Sequence, residues 1–92
     1  IICGPMDLSS SVGKMGKLTD PEVVGLMQRI IDTCKAHKIP FGVSIGVNDD
    51  LIRFWIEQGA TFVSAGTPAD YFWCMSKDKV AFARKLEAER SR

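Results

Sequence analysis

Ile2-Cys3-Gly4-Pro5-Met6-Asp7-Leu8-Ser9-Ser10 is the stretch that decides how this sequence is read. A short apolar run ends at Gly4-Pro5. One carboxylate, Asp7, follows at the rim, flanked by Met6 and Leu8 and not by other charges. Strand, tight turn, carboxylate and small hydroxyls is the order in which an α/β barrel presents a metal ligand at the C-terminal end of a strand. The sequence opens at Ile1, already inside the apolar run, and reads as the C-terminal part of a larger enzyme.

Outward from this stretch, strand-like and helix-like runs alternate. Residues 9–19 form a polar loop with Gly13 and Gly16. Asp20-Pro21 supplies an N-cap with proline at the first helical position. Val23, Val24, Met27, Ile30, Ile31 and Cys34 recur at three- and four-residue steps, which predicts an amphipathic helix over about residues 21–37. Lys35, His37 and Lys38 suit its negative end, and Pro40 stops it. Phe41–Ile45 is the second strand, ended by Gly46. Asn48 caps a second helix whose buried face is Leu51, Ile52, Trp55 and Ile56, with Gly59 just past its end. Thr61–Ala65 is the third strand, closed by Gly66. A turn at Pro68 and an aromatic stretch, Tyr71-Phe72-Trp73, precede a last helix capped by Ser76 and carrying Val80, Phe82, Ala83 and Leu86.

The order β-loop-α-β-α-β-α implies a parallel sheet. Two architectures fit, a slice of a (β/α)8 barrel and a small doubly wound sheet. The missing G-x-G-x-x-G turn after the first strand counts against the second. Ninety-two residues are close to three of a barrel's eight βα units, which together take about 250.

Composition narrows the function classes. The chain is 46% apolar and 25% charged, with a net charge of +1 spread along its length. That is the profile of a globular protein, without the basic patch of a nucleic-acid binder. No apolar run is long enough for a membrane helix. Cys3, Cys34 and Cys74 lack CxxC or Cys/His spacing, so reduced thiols in a cytoplasmic protein are expected.

Gly4-Pro5-Met6-Asp7-Leu8-Ser9 resembles the Gly-Pro-x-Asp-Leu-Ser stretch that follows the sixth barrel strand in the HpcH/HpaI aldolase family, the metal-dependent pyruvate aldolases related to the citrate lyase β-subunit. The likeness continues at a helix start at Pro21-Glu22-Val23, a seventh strand centred on Gly42, and an eighth-strand pattern at Gly59-Ala60-x-Phe62-Val63-x-x-Gly66. It covers essentially the whole chain. It implies the C-terminal portion of a (β/α)8 TIM barrel, about strands 6–8 with their helices.

The resemblance also implies chemistry. Asp7 matches a ligand of a divalent cation (Mg²⁺, Mn²⁺ or Co²⁺), shared in the family with a Glu on the fifth strand. That Glu, a pyruvate-clamping Arg and a catalytic His would lie upstream of Ile1, so no catalytic residue falls in this chain. His37, at the far end of a helix, is no substitute. Met6 and Asp7 match positions whose amides meet the pyruvate carboxylate. Ser44 matches a position lining the aldehyde pocket, where relatives often carry a bulky aliphatic. The implied activity is cleavage of a 4-hydroxy-2-oxo acid to pyruvate and an aldehyde, by a homo-oligomer. A hard cation chelated by the 2-oxo acid stabilises the charge that develops as the carbon–carbon bond breaks. Within the same class, a CoA-thioester lyase is the alternative; outside it, a non-catalytic βα assembly module.

Each residue also has a plainer role open to it. Asp7 suits turn capping. Ser9, Ser10 and Ser11 read as loop hydroxyls with no base nearby. Gly46 and Gly66 either line a phosphate site or end strands. Cys3 reads as a small buried hydrophobe. Tyr71, Phe72 and Trp73 read as core or subunit-interface aromatics, and the final helix packs on its own barrel or on a neighbour. Faces built from Val23, Met27, Ile30, Leu51, Trp55 and Phe82 all require partners, so the 92 residues by themselves are expected to associate and to be inactive.

Overall fold

The computed structural model describes residues 1–91. Its elements are β1 (Ile2–Cys3), α1 (Pro5–Ser11), α2 (Pro21–Ala36), β2 (Gly42–Ile45), α3 (Asp49–Glu57), β3 (Phe62–Ala65) and α4 (Pro68–Arg90). The three strands form one parallel sheet in the order β1-β2-β3, as the alternation implies.

Burial on β2 alternates because successive side chains leave a strand on opposite faces. Val43 and Ile45 are buried while Ser44 between them is exposed. The first two join Cys3, the α2 stripe Val23, Met27, Ile31 and Cys34, and Leu51 and Trp55 of α3 in the core. Fully burying one such side chain contributes about 1.5–3 kcal/mol. Trp55 is packed edge-on against Phe54, with ring centroids 5.9 Å apart and planes at 88°, and tilted against Phe41 at 6.3 Å. Its indole N–H is buried without a hydrogen-bond partner, which costs stability.

The opposite face of the sheet is bare. In-register pairing puts Ile2, Gly42 and Phe62 in one row and Ser44 and Ser64 in another. Ile2 is 58% and Phe62 51% exposed. Parallel sheets are ordinarily covered on both faces.

The ends of α2 and α3 share one device. After α3, the amide of Ala60 donates to Trp55 O and that of Gly59 to Ile56 O, both at 3.0 Å, with Gly59 at φ +97°. This is the double closure of a Schellman motif. After α2, Ile39 N donates to Cys34 O at 2.9 Å and Lys38 N to Lys35 O at 3.2 Å, so Lys38 occupies the left-handed position at φ +56°. Lys38 thus ends α2 before Pro40 is reached.

Four expectations are corrected. Residues 5–11 are helical, so the polar loop covers only 12–20. Pro5 opens a helix rather than a turn, a role that its fixed φ and missing N–H suit. The last helix starts at Pro68, not at Ser76. Thr67 and Asp70 form a full capping box there, and Ser76 lies mid-helix. Ile56, expected on a buried face, is 57% exposed; α4 buries no residue, and its Phe82, on a face that requires a partner, is 58% exposed. Tyr71, Phe72 and Trp73 are exposed and form no part of this chain's core.

Two substitutions test these constraints. A Cβ at Gly42 would run into the carbonyl oxygen and Cβ of Phe62. Gly42→Ala should therefore cost about 3 kcal/mol or more in chemical denaturation, at the top of the usual mutational range. A loss below about 1 kcal/mol would show that β2 and β3 do not approach this closely. Lys38→Gly should instead raise stability by about 1 kcal/mol, since glycine enters the left-handed region without strain. A drop in the denaturation midpoint would contradict the αL assignment.

Candidate functional site

A cleft of about 260 Å³ opens at the C-terminal ends of β2 and β3. Met6, Ser44, Asn48, Ser64, Thr67 and Asp70 contribute to its wall, with Leu18, Ile45 and Leu51 on its apolar side. Gly46 and Gly66 form the strand exits, and Gly66 takes φ +118° as the chain turns into α4. The sheet register sets Ser44 directly beside Ser64.

The structure brings two of the three sequence-derived site residues into this cleft. Met6 and Ser44 line it, whereas Asp7 does not. Asp7 lies in the first turn of α1, exposed, with Oδ2 3.3 Å from where a Gly4 Cβ would stand. Its carboxylate is thus folded back over the β1–α1 junction, next to Met6. The amides of Met6 and Asp7 belong to the same first turn, where a helix leaves its N–H groups without intrahelical partners. Among the described residues no three His, Cys, Asp or Glu side chains converge to hold a metal. Asp7 is one hard oxygen donor of the type that Mg²⁺ or Mn²⁺ takes, and not a complete donor set.

Ser9 fixes this rim. It is fully buried. Its Oγ donates to Met6 O at 2.7 Å and accepts from Gly16 N at 3.0 Å, and its own carbonyl accepts from Lys14 N at 2.8 Å. In the sequence it reads as one of three loop hydroxyls; in the fold it is the tie between α1 and the 12–20 loop. The same loop is clamped by Lys14 Nζ, 3.0 Å from both Asp20 Oδ1 and Glu22 Oε2. Hydrogen bonds to Glu22 and then Asp20 raise the Lys14 pKa. The bonds from Lys14 and from the Glu22 amide lower that of Asp20. Asp20's contribution is present above its unfolded value near 3.9 and is lost as pH falls through the lower folded one. Lys14's is present below its unfolded value near 10.4 and is lost only as pH rises through the higher folded one. The clamp therefore holds between about pH 4 and pH 10.

Asn48, Ser64, Thr67 and Asp70 escaped sequence reasoning as cleft residues. Thr67-Pro68-Ala69-Asp70 has the capping-box spacing, which signalled both the helix start and a carboxylate at the strand exit. The Ser44–Ser64 pair becomes visible only with the strand register. His37 lies just beyond α2, in the connection that enters β2 and so at the opposite end of the sheet from the cleft. A larger groove of about 480 Å³ lies away from the cleft, between α1 and α2 beside Ile1. Its wall is mainly apolar, with Leu26, Ile30 and Ile39, and also includes Arg29 and Thr33.

Comparison with known proteins bears on the fold and the family. No family model matches the sequence. Curated relatives do: the 5-keto-4-deoxy-D-glucarate aldolases of Enterobacter sp. (strain 638) and Citrobacter koseri are each 39% identical over 72 residues, 78% of this chain. A HpcH/HpaI aldolase/citrate lyase family protein from Burkholderia cenocepacia superposes with a TM-score of 0.81 over 90% of this chain, at 20% identity. This chain belongs to the HpcH/HpaI aldolase family. It spans 28% of the length of those curated relatives and 32% of the Burkholderia chain. The HpcH/HpaI aldolase from Desulfitobacterium hafniense gives the same TM-score, 0.81, at 18% identity. The three parallel strands thus correspond to part of a barrel-type aldolase fold. Among the described residues no helix is long and apolar enough to cross a membrane.

Ser9→Ala should cost about 1–3 kcal/mol, because it leaves the Gly16 amide unpaired, and should expose the 12–20 segment to proteolysis. Unchanged stability and unchanged cleavage would show that the Ser9 tie is dispensable.

Proposed function

We propose that this chain forms about strands 6–8 of a (β/α)8 barrel that cleaves a 4-hydroxy-2-oxo acid into pyruvate and an aldehyde. The observation carrying this reading is the bare face of a parallel sheet, with Met6 and Ser44 lining a cleft at its C-terminal strand ends and Asp7 in the adjoining first turn of α1. That is the end at which barrel enzymes carry their chemistry, and the face is one that a closed barrel would enclose. The relatives' aldolase names support the reaction class.

In this reading Asp7 holds one coordination position of a divalent cation, Mg²⁺, Mn²⁺ or Co²⁺. The cation supplies Lewis acidity at the keto oxygen of the 2-oxo acid. The amides of Met6 and Asp7 face the pyruvate carboxylate. Ser44, one strand over, faces the aldehyde portion and so affects aldehyde choice more than pyruvate chemistry. Cleavage removes the proton of the 4-hydroxyl and breaks the C3–C4 bond. The bonding pair remains with C3, which then takes up a proton to become the methyl group of pyruvate. The groups that carry those protons are not assigned to this chain; its part is to bind and orient.

Asp7→Asn in the full-length protein tests this reading. Loss of an outer-shell partner of a metal ligand costs 10–100-fold, so loss of the ligand itself should lower bound metal and pyruvate methyl-proton exchange by about 100-fold or more. Metal content and exchange close to the parent protein's would remove Asp7 from the metal site.

A further inference from the structure

The bonds that meet on Ser9 continue into the first turn of α1. Gly16 N donates to Ser9 Oγ at 3.0 Å, and Ser9 Oγ donates to Met6 O at 2.7 Å. The carbonyl of Met6 and the N–H of Asp7 belong to one planar peptide unit. The hydrogen-bond ladder of α1 begins at Leu8 N, which donates to Gly4 O at 2.9 Å, so Asp7 N–H lies before its first rung. A bond that holds the carbonyl end of this unit therefore also aims the N–H at its other end.

Serine bonding back to a helix carbonyl is common, and Ser11 does the same to Leu8 O at 2.6 Å on an exposed surface. Ser9 differs in two respects. It is fully buried, so its hydroxyl does not trade partners with bulk water. It is also an acceptor, from a Gly16 that takes φ +79° in a loop fastened by Lys14 to Asp20 and Glu22. Hydrogen bonds in series polarise one another, and this series runs from Gly16 N–H through the Ser9 hydroxyl to the Met6–Asp7 peptide. Both bonds are made within residues 6–16 and do not depend on the rest of a barrel.

We infer that Ser9 is a positioning residue: in the aldolase reading, on which the inference rests, its hydroxyl aims the Met6–Asp7 peptide so that Asp7 N–H meets the substrate carboxylate. It acts through that peptide and not by touching substrate or metal. Removing it weakens the hold on the carboxylate and leaves the metal's affinity in place.

The test uses the full-length protein with Mn²⁺ and pyruvate, and the variants Ser9→Ala and Ser9→Cys. Cysteine fills the same space with a weaker donor, so it decides the question where alanine leaves the protein unfolded. Pyruvate methyl-proton exchange gives KM and kcat, and a Mn²⁺ titration without pyruvate gives the metal affinity. Both variants should raise the pyruvate KM, by about tenfold for alanine, as expected for one misaimed hydrogen bond to a charged group. The kcat of exchange and the Mn²⁺ affinity should stay within about threefold of the parent's, since the lost interaction is one of binding. A serine that only stabilised the fold would lower all three together. If exchange proceeds and KM stays within about twofold of the parent's, or if kcat and Mn²⁺ affinity fall as far as KM rises, Ser9 does not aim the peptide. The inference is then overturned with the aldolase reading intact. If the parent protein shows no exchange at all, the aldolase reading fails and the inference falls with it.

Discussion

The close approach of β2 to β3 at Gly42 and Phe62 is the constraint on which the rest of the structure depends. Only a residue without a side chain fits under the Phe62 backbone. Once that pair is set, the parallel register fixes every other position. Val43 and Val63 pair on the helix-covered side, and Ser44 falls beside Ser64 on the other. A slip of one residue would send Val43 to the bare face and Ser44 into the core, burying a hydroxyl among Ile31, Leu51 and Trp55. Core and cleft are thus two readouts of one register.

The rim bearing Asp7 depends on a different kind of support. Pro5 is buried and Leu8 and Leu18 pack against the core, and polar ties complete the support. Ser9 links α1 to Gly16, and Lys14 links the loop to the start of α2 through Asp20 and Glu22. Asp20 serves twice, since the same Oδ1 that meets Lys14 also accepts the Glu22 amide at 3.0 Å and caps α2. One carboxylate therefore couples the start of the principal core helix to the position of the segment next to the cleft.

Elements whose signal is local and strong were legible in the sequence. The α2 stripe, the Asn48 cap and the Gly59 terminus follow from residues within a few positions of one another, and the parallel three-stranded sheet follows from the alternation of strands and helices along the chain. The family was legible as well, because Gly4-Pro5-Met6-Asp7-Leu8-Ser9 is a backbone-determined stretch. What misled was competition between equivalent signals. Ser9, Ser10 and Ser11 favour loops, and only burial of the Ser9 hydroxyl and back-bonding of Ser9 and Ser11 to α1 carbonyls reconcile them with a helix. Ser76 and Thr67 both suit an N-cap, and the reciprocal bond from Asp70 decides for Thr67. The cleft itself was only half legible. Met6 and Ser44 came from motif positions, whereas Ser64, Asn48 and Asp70 meet only through the packing of distant segments.

The two strand pairings differ in how much chain each must close. Gly42 meets Phe62 after twenty residues, but Ile2 meets Gly42 only after forty. Closing the longer loop costs about 0.6 kcal/mol more than closing the shorter one. The helices that fill these connections, α2 between β1 and β2 and α3 between β2 and β3, carry the buried stripes that pack against the sheet. The pairing of such short strands therefore leans on the helices that cover one side of the sheet as much as on the strands' own hydrogen bonds.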